Sequence, residues 1–442
     1  MSEPVPTEPP AAADPNVWWR ALVRSFMTLL LGEGAARVFG LLTFVLLARR
    51  LGPAGYGLVA TALSIIGWFG LVADQGTTLT PTRDIARNPE RFRFIAERML
   101  ALRLALGVPF VAALIGGAYA LSNSSYDRAT YIRFAVGVPA IALNVRWLAL
   151  GIRGARLIAI GNVAAQAVIL IGVVLLVTTS ADTPRMAYIA AAGELAFALV
   201  ILGLLIPRYG ILRPRIDLAE WRTTLRSGLP LMVSAAARGV LYSFDLVVIT
   251  FLIDPAHSGY YATGSKPAFF VMQAIGLFYV SFLASYSAAH PEAAADLFRR
   301  SVRVGLGLSI PVAVALTIGA EFVVPFLTDD RYALAAPVLA ILAWKIPFSA
   351  VASPYSGVLL VGDRQMSLMW NHVIAAIVTI VGDLIAASTI GIYGVAMVSL
   401  ITTVVILCLN YRSAVGHGLA PPIRGTLLAR RPQRDPEYFD RG

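Results

Sequence analysis

The sequence predicts an all-α, polytopic membrane protein with about twelve transmembrane helices. Of its 442 residues, 58% are hydrophobic and only 14% are charged, and the mean hydropathy is +0.74. A water-soluble fold of this length does not tolerate so apolar a composition. Apolar stretches recur along the chain, and the length of each is close to the roughly 20 residues that a helix needs to cross a bilayer. The period-two alternation of barrel strands is absent.

Hydropathy places the twelve segments in close succession, with short connections on one side of the membrane and longer ones on the other. The segments are 22–48, 55–76, 98–121, 132–151, 157–179, 186–206, 229–252, 258–286, 302–327, 333–360, 367–388 and 391–411. We expect a disordered tail (1–19), an N-lobe (20–206), a linker with an interfacial helix (207–228), a C-lobe (229–412) and a disordered basic tail (413–442).

A short motif links the first and second segments and returns once between the seventh and eighth. Pro53, Ala54, Gly57, Ala60 and Thr61 have the same spacing as Pro255, Ala256, Gly259, Ala262 and Thr263. Six crossings separate the copies, so both halves would have the same orientation in the membrane. This arrangement predicts a central cleft between two related halves.

The net charge of +11 reflects membrane topology, and we expect no nucleic-acid partner. Basic loop residues divide roughly four to one between the two sides, which places both termini in the cytoplasm by the positive-inside rule. Cys408 is the only cysteine, so an intrachain disulfide and thiolate metal sites are excluded.

Four basic residues lie far from helix ends, and they are the predicted substrate-binding residues: Arg37, Arg238, Lys266 and Lys345. A basic group at bilayer depth costs roughly 2.5 to 3.5 kcal/mol if it faces lipid, so these side chains must face protein or water. A cation-lined cavity would suit an anionic substrate. The alternative is structural ion pairing, of Arg37 with Glu33 and of Arg238 with Asp245.

Acidic residues at membrane depth are candidates for ion coupling, because a carboxylate removed from water exchanges protons readily. Glu33, Glu194 and Asp245 are the predicted coupling residues. Asp74, Glu321 and Asp383 lie nearer helix ends and are interpreted as caps or interface groups. Arg103 and Arg146 lie close to the cytoplasmic ends of segments three and four, where snorkelling explains them as well as a position inside the protein does.

No catalytic signature is present, and we expect neither an enzyme nor a bound cofactor or metal. The four histidines are scattered without ligand spacing, and no phosphate-binding Gly-Lys-Ser/Thr loop occurs. A membrane-bound polymerase or transferase normally carries its chemistry on substantial aqueous loops, which this chain lacks.

Two motifs indicate a family. The run from Val45 to Gly57, followed by Asp74-Gln75-Gly76 and Arg83-Asp84-Ile85-Ala86, resembles the first helices of bacterial Wzx-like polysaccharide flippases. These flippases belong to the multidrug/oligosaccharidyl-lipid/polysaccharide (MOP) exporter superfamily. Asp245 with Gly259-Tyr260-Tyr261-Ala262 strengthens the resemblance in the second half.

The resemblance implies two six-helix lobes around a V-shaped cavity in the bacterial cytoplasmic (inner) membrane. It implies alternating access that moves an undecaprenyl-diphosphate-linked oligosaccharide to the outer leaflet for surface polysaccharide biosynthesis. A basic cavity would receive the headgroup. In this sequence we assign that role only to Arg37, Arg238, Lys266 and Lys345. Membrane lipids and the polysaccharide polymerase or export machinery would be partners.

Two other functions remain open at this point. An ion-coupled drug or cation antiporter of the same superfamily would need acidic rather than basic cavity residues. A polymerase or an acyl or glycosyl transferase would need catalytic groups that the sequence does not offer.

Overall fold

A computed structural model describes residues 15–77, 79–122, 124–152, 154–288 and 291–422. Throughout these residues the regular structure is helical, which confirms the all-α prediction. The helices are α1 Pro15–Thr77, α2 Leu79–Arg87, α3 Phe92–Leu121, α4 Ser125–Phe134, α5 Gly137–Ala142, α6 Arg146–Gly151, α7 Ala155–Leu176, α8 Met186–Tyr209, α9 Leu218–Leu252, α10 Pro255–Ala288, α11 Pro291–Ile318, α12 Ala320–Leu327, α13 Ala335–Ala343, α14 Lys345–Val361, α15 Gln365–Thr389 and α16 Ile392–Gly416.

Ten stretches of the described chain are long and apolar enough to cross a membrane. The first of them, Gly34–Asp74, contains a kink at Gly52, where φ is 68° and the backbone leaves the helical region. Glycine adopts this conformation at little cost, and the next residue is a proline, which breaks the helix. The kink therefore separates the first two predicted segments within α1, and the protein is a multi-pass membrane protein.

Three predicted segments are broken helices. The fourth is made of α4, α5 and α6, the ninth of α11 and α12, and the tenth of α13 and α14. The expected loop between segments three and four is largely the helix α4. Broken helices persist at membrane depth where neighbouring groups satisfy the freed backbone.

The linker between the halves differs from the prediction. Residues 210–217 have no regular secondary structure, and α9 then runs without interruption from Leu218 to Leu252, so the expected interfacial helix is the first part of the seventh segment. Residues 1–14 and 423–442, which include most of the two predicted tails, lie outside the described residues. Helix α1 already begins at Pro15, within the predicted first tail.

The linker, residues 210–217, is fixed to the N-terminal half by ion pairs. The buried carboxylate of Glu97 accepts hydrogen bonds from Arg93 (3.0 Å) and the backbone N–H of Arg213 (3.3 Å), and it pairs with Arg215 (3.1 Å). Arg98 donates to Asp217 at 2.7 Å. This hydrogen bond lowers the pKa of the Asp217 carboxyl group below its ordinary value.

The helices form one bundle with two distinct ends. The kink end carries Gly52, residues 177–185 and 328–334, and the linker end carries residues 210–217. Helix α1 packs against α7 in the N-terminal half and crosses to α9 and α10 in the C-terminal half. One hydrophobic core, which includes Leu58, Val59, Ile249 and Val338, joins the two halves near the kink end.

Candidate substrate cavity and interlobe seal

The two copies of the repeated motif meet each other at the kink end. A Cβ atom at Gly57 would overlap the carbonyl oxygen of Pro255, and a Cβ atom at Gly259 would overlap the carbonyl oxygen of Pro53. Equivalent residues thus make the same contact in both directions, as a two-fold axis requires. We call the Gly57–Gly259 crossing, with the contacts described in the next two paragraphs, the seal.

Three buried hydroxyl groups, next to this crossing, also belong to the seal. The Thr61 hydroxyl is hydrogen-bonded to Thr250 at 2.6 Å and to Ser258 at 2.9 Å. Thr61 and Ser258 both have 0% exposure, and Thr250 has 7%. A hydrogen-bonded, water-free contact of this kind closes the path between the halves at the kink end.

Backbone acceptors complete the rim of the seal. Tyr332 donates its hydroxyl hydrogen to the carbonyl oxygen of Ala48 at 2.9 Å, and Arg331 donates to the carbonyl oxygen of Arg49 at 2.6 Å. Arg331 also pairs with Asp329 at 2.7 Å, and this hydrogen bond lowers the pKa of the Asp329 carboxyl group. The connection between α12 and α13 therefore fixes the end of the first arm of α1, which is the part of the helix before the kink at Gly52.

A polar cavity of about 420 Å³ lies between the halves on the linker side of the seal. The first arm of α1 contributes Arg37, roughly 22 Å from the Gly52 kink at 1.5 Å per residue. Its lining residues are Ala36, Arg37, Gly40, Asn144, Arg146, Asn162, Ala165, Gln166, Glu194, Phe197, Phe270 and Gln273. All but the last two belong to the N-terminal half.

The break between α5 and α6 places Arg146 in this cavity. The Asn144 side chain accepts a hydrogen bond from the backbone N–H of Arg146 at 3.0 Å, and the Arg146 guanidinium donates to Asn162 at 2.7 Å. The same guanidinium lies 5.7 Å from the centre of the Phe197 ring. Arg146 is therefore held at the cavity wall, which favours the second of the two explanations that the sequence left open.

A buried arginine, paired with a half-exposed aspartate, supports the helix break. Arg103 has 0% exposure, donates to Asp74 at 2.7 Å and donates to the carbonyl oxygens of Ala142 (3.0 Å) and Ile141 (3.4 Å). These carbonyl groups belong to the last turn of α5, where a helix leaves acceptors unsatisfied. For Arg103 the sequence left snorkelling open, and its complete burial makes it an internal support of the cavity wall.

The cavity has mixed charge with a basic excess. Two guanidinium groups, of Arg37 and Arg146, face one carboxylate, that of Glu194, which accepts a hydrogen bond from Asn144 at 3.2 Å. The side-chain amides of Asn162, Gln166 and Gln273 supply neutral donors and acceptors. Such a surface binds a group that is negatively charged and also rich in hydroxyl or amide groups.

The predicted basic residues are distributed over several places. Arg37 lines the cavity, and Lys266 lies on the same face of α10 as the lining residues Phe270 and Gln273, one turn nearer the seal. Arg238 is half-buried near His372, on the side of α9 that packs against α15. Lys345 donates to Ser399 at 2.7 Å, inside the C-terminal half.

The proposed structural ion pairs have different outcomes. Asp245 accepts a hydrogen bond from Tyr261, and no ion pair between Asp245 and Arg238 is formed among the described residues. The Glu33 side chain lies outside the described residues, so the Glu33–Arg37 pair and the coupling role of Glu33 stay predictions.

The candidate coupling residues lie in two separate places. Glu194 is in the cavity, and Asp245 is 4% exposed in the C-terminal half. Asp383, which was interpreted as a cap or an interface group, is fully buried beside Asp245. That interpretation of Asp383 was wrong: its position six residues before the end of α15 places it inside the bundle.

The fold agrees with solved transporters. A multidrug resistance MATE family transporter of the MOP superfamily, in an inward-facing conformation, aligns with a TM-score of 0.71 at 15% identity, over 86% of this chain and 94% of the other. The lipid II flippase MurJ, in an inward closed conformation, aligns with a TM-score of 0.65 at 14% identity, over 91% of this chain and 89% of MurJ.

Fold and family together define a multi-pass membrane transporter of the MOP superfamily. The model of a family described as "Polysaccharide biosynthesis protein" matches residues 22–288, and a model named MatE matches residues 266–385. The chain belongs to the polysaccharide biosynthesis protein family.

One relative is similar over part of its length. A putative O-antigen transporter of Escherichia coli (strain K12) is 23% identical over 244 residues, which are 54% of this chain. The matched region spans 58% of that relative, so its activity is not transferred to this chain by similarity alone.

Proposed function

We propose that the protein moves an undecaprenyl-diphosphate-linked oligosaccharide across the bacterial inner membrane, from the cytoplasmic to the outer leaflet. The observation that carries this proposal is the interlobe cavity, where the guanidinium groups of Arg37 and Arg146 face amide side chains. Guanidinium groups bind phosphate oxygens with charge-assisted, geometrically matched hydrogen bonds. The neighbouring amides suit sugar hydroxyl groups, and the polyprenyl tail would remain in the bilayer.

The seal supports movement by alternating access. By the positive-inside rule the linker end is cytoplasmic, so the described conformation is closed at the outer face and its cavity lies on the cytoplasmic side of the closure. A headgroup would enter from the cytoplasmic leaflet. Two lobes, roughly residues 20–206 and 229–412, would then rock against each other to open the outer end.

A second candidate is an ion-coupled drug or cation antiporter. The match of the MatE model and the carboxylate of Glu194 in the cavity favour it. The basic excess of the cavity opposes it, because a cationic substrate would meet two guanidinium groups and one carboxylate. The two functions therefore predict opposite charge preferences for the same cavity.

Binding by the full chain in lipid nanodiscs separates these candidates, with undecaprenyl diphosphate as the probe. Replacing Arg37 or Arg146 with Gln removes charge-assisted hydrogen bonds of about 1.5 to 3 kcal/mol, so affinity should fall roughly tenfold to a hundredfold. Arg156→Gln is the matched control, because Arg156 is an exposed arginine that does not line the cavity.

The expected result is diphosphate binding that both cavity substitutions weaken and the control leaves unchanged. Equal affinity in all four proteins would remove the anionic-headgroup mechanism. Binding of an organic cation that Glu194→Gln abolishes and Arg37→Gln strengthens would establish the antiporter instead.

A further inference from the structure

A second polar cluster lies inside the C-terminal half, apart from the cavity. It comprises Asp245 on α9, Tyr261 on α10, Lys345 on α14, Asp383 on α15 and Ser399 on α16. Asp383 is 0% exposed, Tyr261 3%, Ser399 3% and Asp245 4%. Lys345 is half-buried, and five helices converge on these side chains in the interior of the C-terminal half.

The hydrogen bonds of the cluster leave three carboxylate oxygens without partners. Lys345 donates to the Ser399 hydroxyl at 2.7 Å, and the Tyr261 hydroxyl donates to Oδ2 of Asp245. Oδ1 of Asp245 and both oxygens of Asp383 accept no hydrogen bond from the described residues. The two carboxyl groups lie beside each other, and Lys345 acts electrostatically on both.

The formal charges of the cluster do not cancel. Two carboxylates and one ammonium group leave one negative charge in a buried site, which is strongly unfavourable. Of the other charged groups on the five helices, Lys266 lies five residues beyond Tyr261, on the face of α10 that carries the cavity residues Phe270 and Gln273. Arg238 and His372 lie roughly two to three turns toward the linker end, next to each other. Tyr261 is neutral and already donates to Asp245.

One additional proton would correct both the charge and the hydrogen bonding. A protonated Asp383 can donate to the free oxygen of Asp245, while Lys345 balances the remaining negative charge. The ammonium group of Lys345 supplies the positive charge beside the two carboxyl groups. In the described part of the chain, no group of three or more His, Cys, Asp or Glu side chains is arranged to hold a metal ion.

We propose that Asp245 and Asp383 form a single proton-binding site, that Lys345 is its fixed counter-cation, and that loading of this site is coupled to opening of the seal. Proton binding forms one O–H bond on the carboxyl pair, with the proton taken from water on one side of the membrane. Its release returns that proton to water on the other side. Only the coupling step depends on the proposed transport function.

On both α9 and α10, the residues of the cluster lie within about one helical turn of residues that form the seal. The carbonyl oxygen of Leu246, the residue after Asp245, accepts hydrogen bonds from Thr61 (3.4 Å) and Ser258 (3.5 Å). Tyr261 follows Gly259, which packs against Pro53, by two residues. A change in charge at the carboxyl pair would thus act directly on the residues that hold the two halves together.

Infrared difference spectroscopy on the full chain in nanodiscs tests the proton site through the carbonyl stretch of protonated carboxyl groups. Asp245→Asn and Asp383→Asn each leave one carboxylate and one ammonium group, so the protonated-carboxyl band present at neutral pH should disappear in both. Lys345→Met leaves two carboxylates without a cation, so the band should grow. Glu321→Gln, which alters an exposed carboxylate, should change nothing.

Two results would overturn the proposal: a band that persists in both Asn variants, or a wild-type band that sodium ions remove at constant pH. Thermal unfolding of each variant identifies the folded samples, and the opposite sign expected for Lys345→Met separates a charge effect from general damage. A second arm tests coupling. Asp383→Asn should retain undecaprenyl diphosphate binding and lose delivery of lipid-linked oligosaccharide to the outer leaflet, and unimpaired delivery would overturn the coupling.

The two proposals fail in distinguishable ways. If the wild type does not bind undecaprenyl diphosphate, the transport proposal fails while the infrared result stands. If the wild type binds the probe but the Asn variants keep their band, the proton site fails while the transport proposal stands.

Discussion

Arg103 determines the shape of the cavity wall although it does not line the cavity. It is the fully buried donor to Asp74 and to two carbonyl groups at the end of α5. Without it the carbonyl oxygen of Ala142 would lose this hydrogen bond, and the break that presents Arg146 would lose part of its support. Arg103 is therefore a positioning residue for Arg146.

Replacing Arg103 with Met should lower the free energy of unfolding by about 1 to 3 kcal/mol, because the buried carbonyl oxygen of Ala142 loses its hydrogen bond from Arg103. Thermal unfolding in detergent measures this change. Arg133→Gln is the control, because Arg133 is exposed at the kink end. Equal stability of the Met variant and the wild type would show that the pair does not support the wall.

Sequence reasoning at this scale found Arg37 because a cation in the middle of an apolar segment needs a polar environment. It did not assign Arg146 to the cavity, because hydropathy cannot show that a segment breaks at Asn144 and turns Arg146, two residues later, inward. It grouped Lys345 with Arg37 by charge and depth. The side chain is directed instead to Ser399, an orientation that depends on the packing of α14 and α16.

At the scale of helices, the Gly57–Gly259 crossing leaves no space for side chains. The atoms that a Cβ would overlap are backbone oxygens, which cannot move aside as a side chain can. Gly67, in the same arm of α1, has nothing within 4 Å of an added Cβ. The chain thus supplies its own control for a glycine substitution.

Gly57→Ala should weaken the seal and increase the fraction of molecules open at the kink end, whereas Gly67→Ala should not. The measurement is labelling of a single cysteine at position 263 by an impermeant maleimide, in a Cys408→Ser background. Thr263 is 2% exposed and its hydroxyl has no hydrogen-bond partner in the described structure, so cysteine replaces it without losing a bond. Equal labelling rates in the two variants would mean that the crossing does not close this end.

The linker gives a second prediction at this scale. Glu97→Ala removes the acceptor that holds Arg93, Arg213 and Arg215, so residues 210–217 should detach from α3. Limited trypsin digestion should then cleave after Arg215 several times faster, whereas Arg213 precedes a proline and is not a trypsin site. The control Glu90→Ala removes an exposed carboxylate, and equally rapid cleavage in both variants would contradict the proposed attachment.

Most helices were predictable because apolar length alone indicates a membrane-crossing helix. Their breaks were not: α4 to α6 and α13 to α14 satisfy their freed backbone groups through residues distant in sequence, such as Arg103. The repeat was visible as matching residues, but contact between its copies was not. That contact depends on the relative placement of two halves, about which local sequence carries no information.

At the scale of the whole molecule, the few basic residues at the kink end serve structure. Arg50 donates to carbonyl groups at the end of α7, at distances from 2.6 to 3.0 Å, and Arg49 donates to the carbonyl oxygen of Phe326 at 2.9 Å. These arginines satisfy backbone groups at helix ends. Their presence at the kink end therefore has a structural reason. It is consistent with the excess of basic loop residues from which we propose that the linker end is cytoplasmic.

The two halves of the molecule contain different sites. The N-terminal half supplies nearly all of the cavity, the C-terminal half contains the carboxyl pair, and the seal lies between them. Substrate binding and proton binding would meet only through the movement of the halves. We expect Arg37→Gln to impair binding and transport together, and Asp383→Asn to impair transport alone.

The most direct test of the central claim measures which leaflet holds the lipid-linked oligosaccharide in cells. In a strain lacking the chromosomal gene, complemented with each variant, an impermeant probe that reacts with the sugar is applied to spheroplasts. We predict labelled lipid-linked oligosaccharide with the wild type and Arg156→Gln. With Arg37→Glu and Arg146→Glu, unlabelled material should accumulate inside. Equal outer-leaflet labelling in the strain with no transporter, or in both Glu variants at wild-type protein levels, would contradict the account.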